Sequence, residues 1–347
     1  MESWLQALLE GVSDLLWGQW AALGAYVAVE PCREAVVDPE ALLISTCAFG
    51  GREARMFDES LDWIITNHGL LKPWRMRRIA RDFGPDVTGT LGAVLEYAAM
   101  ETGRDLFPGV REEARKVLAE VAPKELFPWE RGMYREGGKA PDEIFLEWKL
   151  LRGKPRVHRH SGTPDLANPA NLVLRLRDYY GAGGRADVIA YLLTAGGGSS
   201  HGIAKKVKYR QGMVYQVLEG LVNAGMAQKS GGRGHAYYWI ERERMAASLG
   251  LGKRLPVFFA WSDVYSALYM VYADWEEHRD AYADEFLSAE RMRDLARHVV
   301  PLLRGAGEPL SRLPAVDPRR LKGSEHRHAL ISFLEGAMHV LRRYAPG

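Results

Sequence analysis

Arg185-Ala-Asp-Val-Ile-Ala-Tyr-Leu-Leu-Thr194, followed after Ala195 by Gly196-Gly-Gly-Ser-Ser200, opens the stretch whose reading decides the fold. Val188, Ile189, Leu192 and Leu193 fall on one helical stripe, and the glycine run ends that helix. A second, shorter helix is predicted next. Ser199 or Ser200 caps its first turn, Ile203 and Val207 are its inward pair, and Lys205, Lys206 and Lys208 stay outside. A third helix, near Gln211 to Ala224, carries Val214, Leu218 and Leu221 at i, i+4 and i+7 and stops at Gly225. A hairpin follows: Met226-Ala-Gln-Lys-Ser, the turn Gly231-Gly-Arg-Gly, and His235-Ala-Tyr-Tyr-Trp-Ile.

The order of three helices and a Gly-tipped hairpin resembles the DNA-binding domain of winged-helix transcriptional regulators of the MarR and ArsR type. The motifs that carry the resemblance are Ile203-Ala-Lys-Lys-Val, Val214-Tyr-Gln-Val-Leu-Glu-Gly-Leu-Val-Asn-Ala-Gly-Met and the Gly-Arg-Gly wing. It implies a mainly α protein with a winged helix-turn-helix, a small β-hairpin wing, and flanking N- and C-terminal helical domains. It also implies that the third helix enters the major groove while the wing lies over the backbone or minor groove. On that basis Arg210, Gln211, Tyr215 and Gln216 are the base-edge candidates, and Lys205, Lys206, Lys208, Lys229 and Arg233 the phosphate candidates. Ser200, Tyr209 and His235 complete the expected DNA-binding set. The junction Lys208-Tyr-Arg-Gln-Gly lacks the Ser or Thr cap with which many members begin this helix.

Charge supports the same partner. From Ser199 to His235 six bases face one acid, Glu219, in a chain of 347 residues whose net charge is only +2. Such clustering suits phosphate neutralisation, although the same charges also suit a solvated face or a protein-docking wing. With 47% hydrophobic and 26% charged residues the composition is that of a globular protein, not a disordered one. The start Met1-Glu-Ser-Trp-Leu-Gln lacks a basic region before an apolar run, and no stretch approaches the ~18 apolar residues of a membrane span. A cytoplasmic location with no membrane contact is expected. Cys32 and Cys47 are the only cysteines and form no CxxC, so neither a disulfide framework nor a zinc site is expected.

Outward from the centre, residues 151–171 read as a linker between an N-terminal helical domain, 1–150, and the winged-helix domain, 172–245, with a C-terminal helical domain over 246–347. Asp38-Pro39 starts a helix that ends at Gly50-Gly51, and Phe57, Leu61, Ile64 and Ile65 mark another. The segment Lys72 to Arg81 holds five bases and no acid: a second nucleic-acid contact, a docking face for an acidic partner, or a solvated flank. The openings Asp38-Pro-Glu-Ala-Leu-Leu and Phe57-Asp-Glu-Ser-Leu-Asp-Trp look like those of prokaryotic winged-helix proteins that accompany nucleotidyltransferase-like toxins. That resemblance implies a toxin-antitoxin or defence setting and a toxin as protein partner. In the linker the basic first half is a candidate phosphate-tracking arm, and His158 with His160 is a weak metal pair.

In the C-terminal region Trp261, Tyr265, Leu268, Tyr269, Tyr272 and Trp275 share one helix face, either core or interface, or the wall of an effector pocket. The last helix, Arg327 to Tyr344, with Leu330, Phe333, Leu334, Ala337 and Leu341, is a candidate homodimerisation element. Enzymatic readings lack a complete constellation. Asp142, Glu147 and Lys149 superficially resemble a PD-(D/E)xK nuclease, but the spacing of Ile144, Phe145, Trp148 and Leu151 fits a helix face. Asp58 and Asp62, at i and i+4, read as a solvated edge. The expectation is a non-enzymatic, cofactor-free, metal-free regulator of transcription, a repressor. The alternative is an antitoxin-like or defence-associated partner-binding protein that autoregulates its operon.

Overall fold

The computed structural model describes residues 3–118, 122–130, 132–134, 138–181, 183–232, 236–252 and 254–345. It is mainly helical, with two very small sheets. The chain divides into two compact units, one of Leu16–Glu30 with Asp38–Pro164, the other of Met1–Leu15 and Pro31–Val37 with Asp165–Gly347. This partition places 172–245 and 246–347, expected as separate domains, in one unit, and the expected linker across both.

Helix α1 (Ser3–Ala22) contributes its first part to the second unit and its last turns to the first. The first unit then contains α2 (Pro39–Phe49), α3 (Ala54–Asn67), α4 (Pro73–Ala80), α5 (Pro85–Thr102), α6 (Pro108–Leu118) and the short α7 (Glu143–Glu147), with a parallel pair β1 (Lys124–Glu125) and β2 (Leu150–Leu151). The start of α2 is the one the sequence signals: Asp38 accepts a hydrogen bond from the Ala41 backbone N–H at 3.1 Å and Pro39 takes the first helical position, where its missing N–H costs nothing. Because α2 is apolar on nearly all sides it is buried almost throughout, packed by α3, α4 and α5. Trp20 donates to Thr46 Oγ1 at 2.9 Å and Trp63 to the Leu23 carbonyl at 2.6 Å, so these large side chains bury their apolar area without orphaning their N–H groups.

Residues 152–164 contain no helix or strand, as a linker would, but they are tied down along α3. The Asp62 carboxylate accepts backbone N–H bonds from Arg159 and, at 2.8 Å, from Ser161, while Asp58 accepts from the Arg156 N–H at 3.0 Å and pairs with Arg152 at 2.8 Å. Asp62 is 2% exposed, so the expected solvated edge is instead the anchor that satisfies an otherwise unpaired extended backbone. The Arg152 guanidinium lies over Phe57, Phe127 and Phe145 at 5.0–5.4 Å from their ring centres, giving the same segment a packed cation–π seat.

Close approach of α5 to the fully buried Trp148 depends on Gly92: a Cβ there would stand 2.0 Å from the indole Cζ3. Gly92→Ala is expected to cost about 1–3 kcal/mol by overpacking. Gly89→Ala, on the same helix, would meet only Leu118 at 3.6 Å and should be neutral or stabilising by up to about 1 kcal/mol through helix propensity. Thermal unfolding of the two variants checks the contrast, and equal effects would contradict it.

The second unit contains α8 (Leu172–Tyr180), α9 (Gly184–Ala195), β3 (Gly198–Ser199), α10 (Ser200–Lys206), α11 (Gln211–Asn223), β4 (Gln228–Ser230), β5 (Tyr237–Trp239), α12 (Arg242–Ser248), α13 (Trp261–Glu277), α14 (Arg279–Ala283), α15 (Glu285–Gly305), α16 (Glu308–Ser311) and α17 (Glu325–Arg342). The sheet is antiparallel in the order β3-β5-β4, with Ser199 opposite Tyr237 and Lys229 opposite Tyr238. Most of the aromatic face of α13 is core: Trp261, Tyr265 and Leu268 are essentially inaccessible, Tyr269 and Tyr272 are half-buried, and the Trp261 indole donates to the Val36 carbonyl at 2.6 Å. On α17 the stripe Leu330, Phe333, Leu334, Ala337 and Leu341 is likewise buried within this chain, against α15, so it is not a face left open for a second copy. No helix among the described residues is long and apolar enough to cross a membrane.

Candidate nucleic-acid interface

Periodicity and caps place the central helices. Val188, Ile189, Leu192 and Leu193 on α9, Ile203 on α10, and Val214, Leu218 and Leu221 on α11 are buried together. Ser199, not Ser200, caps α10, its Oγ accepting from the Gly202 N–H at 3.1 Å. Between α10 and α11 the chain reverses over Lys208, whose φ is +56°, and Tyr209. Arg210 then occupies the N-cap of α11 without a side-chain capping bond, which agrees with the missing Ser or Thr at that junction.

Burial of the Val214 stripe turns the opposite face of α11 outward. Arg210, Gln211, Tyr215 and Gln216 are all exposed, Tyr215 to 49%, and stand together along the first turns of the helix. Ser200 lies beside them, with Gln211 Nε2 3.4 Å from its Oγ. Tyr209 belongs elsewhere: it is 3% exposed and its hydroxyl donates to Asp187 Oδ2 at 3.3 Å, making it a core residue rather than a surface contact.

The expected phosphate contacts divide. Lys205 is exposed and has no carboxylate partner among the described residues. Lys206 and Lys208 converge instead on one acid from α13, Asp263, with N–O distances of 2.9 and 2.8 Å. Asp263 is almost fully buried and its charge is met by these two ammonium groups, which cancel one positive charge between them and are both drawn inward to it. Periodicity puts Lys206 and Lys208 off the Ile203 stripe, but both side chains meet Asp263 of α13 there.

Lys229, on β4, bonds Glu219 of α11 at 2.8 Å, and the Tyr238 hydroxyl of β5 donates to the same carboxylate at 2.7 Å. Those bonds hold the Glu219 carboxyl below its ordinary range and the Lys229 ammonium above its own. Burial and the adjoining Glu219 charge push the Tyr238 hydroxyl up. The triad pins the hairpin to α11 and occupies the single acid of this region. Arg233 and His235, expected at the hairpin tip, lie outside the described residues. Tyr237, 49% exposed on β5, was not anticipated as a surface group.

The basic segment 72–81 is largely neutralised within the first unit. Arg75 is buried and paired with Asp38 at 2.5 Å and with Glu40, while Arg81 bonds Glu113 at 2.6 Å, with Arg77 3.9 Å from the same carboxylate. Asp142 accepts the N–H bonds of Ile144 and Phe145 at the start of α7, so in this fold it is a helix cap. His158 and His160 stack at 5.7 Å, and no group of three or more His, Cys, Asp or Glu suited to a metal occurs among the described residues. Both cysteines are buried thiols, and burial raises them above their ordinary range.

No family model, curated protein or solved structure matches the chain.

Proposed function

We propose that residues 184–240 form a winged helix-turn-helix and that the protein is a sequence-specific duplex-DNA-binding regulator of transcription, acting as a repressor. The observation that carries this reading is the succession helix, short strand, helix, helix, strand, strand, with β3 and β4 flanking β5, together with an α11 face that presents Arg, Gln, Tyr and Gln outward. Such a helix suits the major groove, where Arg pairs with guanine and Gln with adenine in bidentate geometry. Lys205 and Arg233 are then the backbone contacts, Lys229 being held by Glu219.

With Lys206 and Lys208 held by Asp263 and Lys229 by Glu219, about two phosphates are contacted per chain, and log K should fall against log salt with a slope of about −2. Lys205→Ala should make that slope shallower by about one, whereas Lys206→Ala should leave it nearly unchanged, because that ammonium is turned to Asp263 and not to a phosphate. Fluorescence anisotropy on a random duplex across salt concentrations reads both. The withdrawal of two lysines also favours a second reading, in which α11 with its exposed Tyr215 docks a protein partner, as an antitoxin-like or defence-associated protein would. A slope near zero rejects the DNA reading and leaves that one.

A further inference from the structure

Within the second unit an open cleft of about 590 Å³ lies between α9, the end of α10, α12, and the α15–α16 turn, a volume in the range of small-molecule sites. Two arginines line it, and neither has a carboxylate within ion-pairing reach among the described residues. Arg242 Nε donates to the Leu193 carbonyl at 2.6 Å, and Arg304 Nη2 to the Ser311 carbonyl at 3.1 Å. Each guanidinium is therefore anchored by a neutral backbone acceptor and keeps its full charge. Arg304 Nε is buried and bonded to nothing, an unmet donor of a kind that folded proteins rarely leave without a partner.

The other charged groups of the lining are engaged elsewhere. Lys206 shares Asp263 with Lys208, and Glu308 accepts from Arg312 Nε at 2.6 Å. A net charge of about two positive units is left at the cleft, carried by planar forks that suit tetrahedral or planar oxyanions. Tyr191 and Phe258 add an apolar wall, packed edge to face with ring centres 4.9 Å apart.

We propose that this cleft binds a small organic phosphate monoester of nucleoside monophosphate size, its dianion between Arg242 and Arg304 and its flat body against Tyr191 and Phe258. The dianion would match the two unpaired charges, and the aromatic wall adds affinity that an inorganic anion cannot use. The site is independent of α11 and of DNA.

Calorimetric titration of the full chain with AMP, inorganic phosphate and benzoate tests it. AMP should bind, inorganic phosphate more weakly, and benzoate most weakly because it carries one charge. Arg242→Gln and Arg304→Gln should each weaken AMP by about tenfold or more, the loss expected for a charged hydrogen bond. Phe258→Leu should weaken AMP while leaving inorganic phosphate unchanged. Circular dichroism of each variant confirms that it is folded, and a misfolded Gln variant is replaced by the corresponding Lys variant, which keeps the charge but loses the fork and should also weaken AMP. Absence of AMP binding, equal binding by folded Gln variants, or benzoate binding more tightly than AMP would each overturn the proposal.

Discussion

Replacing Arg177 by Met is expected to destabilise the unit that holds the candidate interface by about 3–5 kcal/mol, the usual consequence of removing one partner of a buried ion pair. Arg177, on α8, grips Asp187, on α9, with two bonds, Nη2 to Oδ1 at 2.7 Å and Nε to Oδ2 at 3.2 Å, and both side chains are 4% exposed. Truncation to an apolar residue leaves the Asp187 carboxylate buried with the Tyr209 hydroxyl as a remaining donor, which cannot balance a charge. Since Tyr209 lies in the turn that leads into α11, the loss should also loosen the placement of that helix. The double variant Arg177→Met with Asp187→Leu should recover much of the stability, because it removes the stranded charge together with its partner. Urea unfolding midpoints of the three proteins provide the measurement. A single variant within about 1 kcal/mol of the parent, or a double variant less stable than the single, would show that the pair does not hold α8 to α9 as described.

For recognition, the largest expected effect is at the start of α11. Arg210→Ala and Gln211→Ala should each cost about 1–3 kcal/mol on an operator selected from a random library, and little on random duplex, because a bidentate base contact is lost only where the matching base is present. Tyr215→Ala should follow the same pattern more weakly. Arg233→Ala should weaken both kinds of duplex alike, or chiefly A·T-rich flanks if it enters a narrow minor groove. Operator preference unaltered by Arg210→Ala and Gln211→Ala would remove α11 as the reading head. The segment 72–81 would not inherit the role easily, since Arg75 is buried and Arg81 is engaged by Glu113.

Much of this region was legible because its signals are local. Gly196, Ser199 and Gly225 mark helix ends through their own backbone and side-chain preferences, and the Val214 stripe orients α11 without reference to any other element. Strand β3 escaped notice: two residues in a glycine-rich turn carry no β signal, and Gly198–Ser199 becomes a strand only because β5 is there to pair with it. Helices α5, α6 and α15 were covered only by a general reading of their regions as helical. Asp58 and Asp62 share a helix face, as their spacing requires, yet nothing local says that a coil about 97 residues away will bring its N–H groups to them.

By itself, then, the sequence determined where the central helices and hairpin lie, which stripe of each faces inward, and hence that Arg210, Gln211, Tyr215 and Gln216 face out. Those properties depend on residues within one or two helical turns of each other. Tertiary structure alone decided which of the basic residues still project a positive field. Lys206 and Lys208 look like Lys205 in sequence, but both are turned to Asp263, 57 residues from Lys206, whereas Lys205 meets no such acid among the described residues. It also decided that Tyr209 is core and that Arg242 and Arg304 share one cleft. A charge is visible in composition; its neutralisation depends on a partner within about 4 Å, and that distance exists only after the chain has folded.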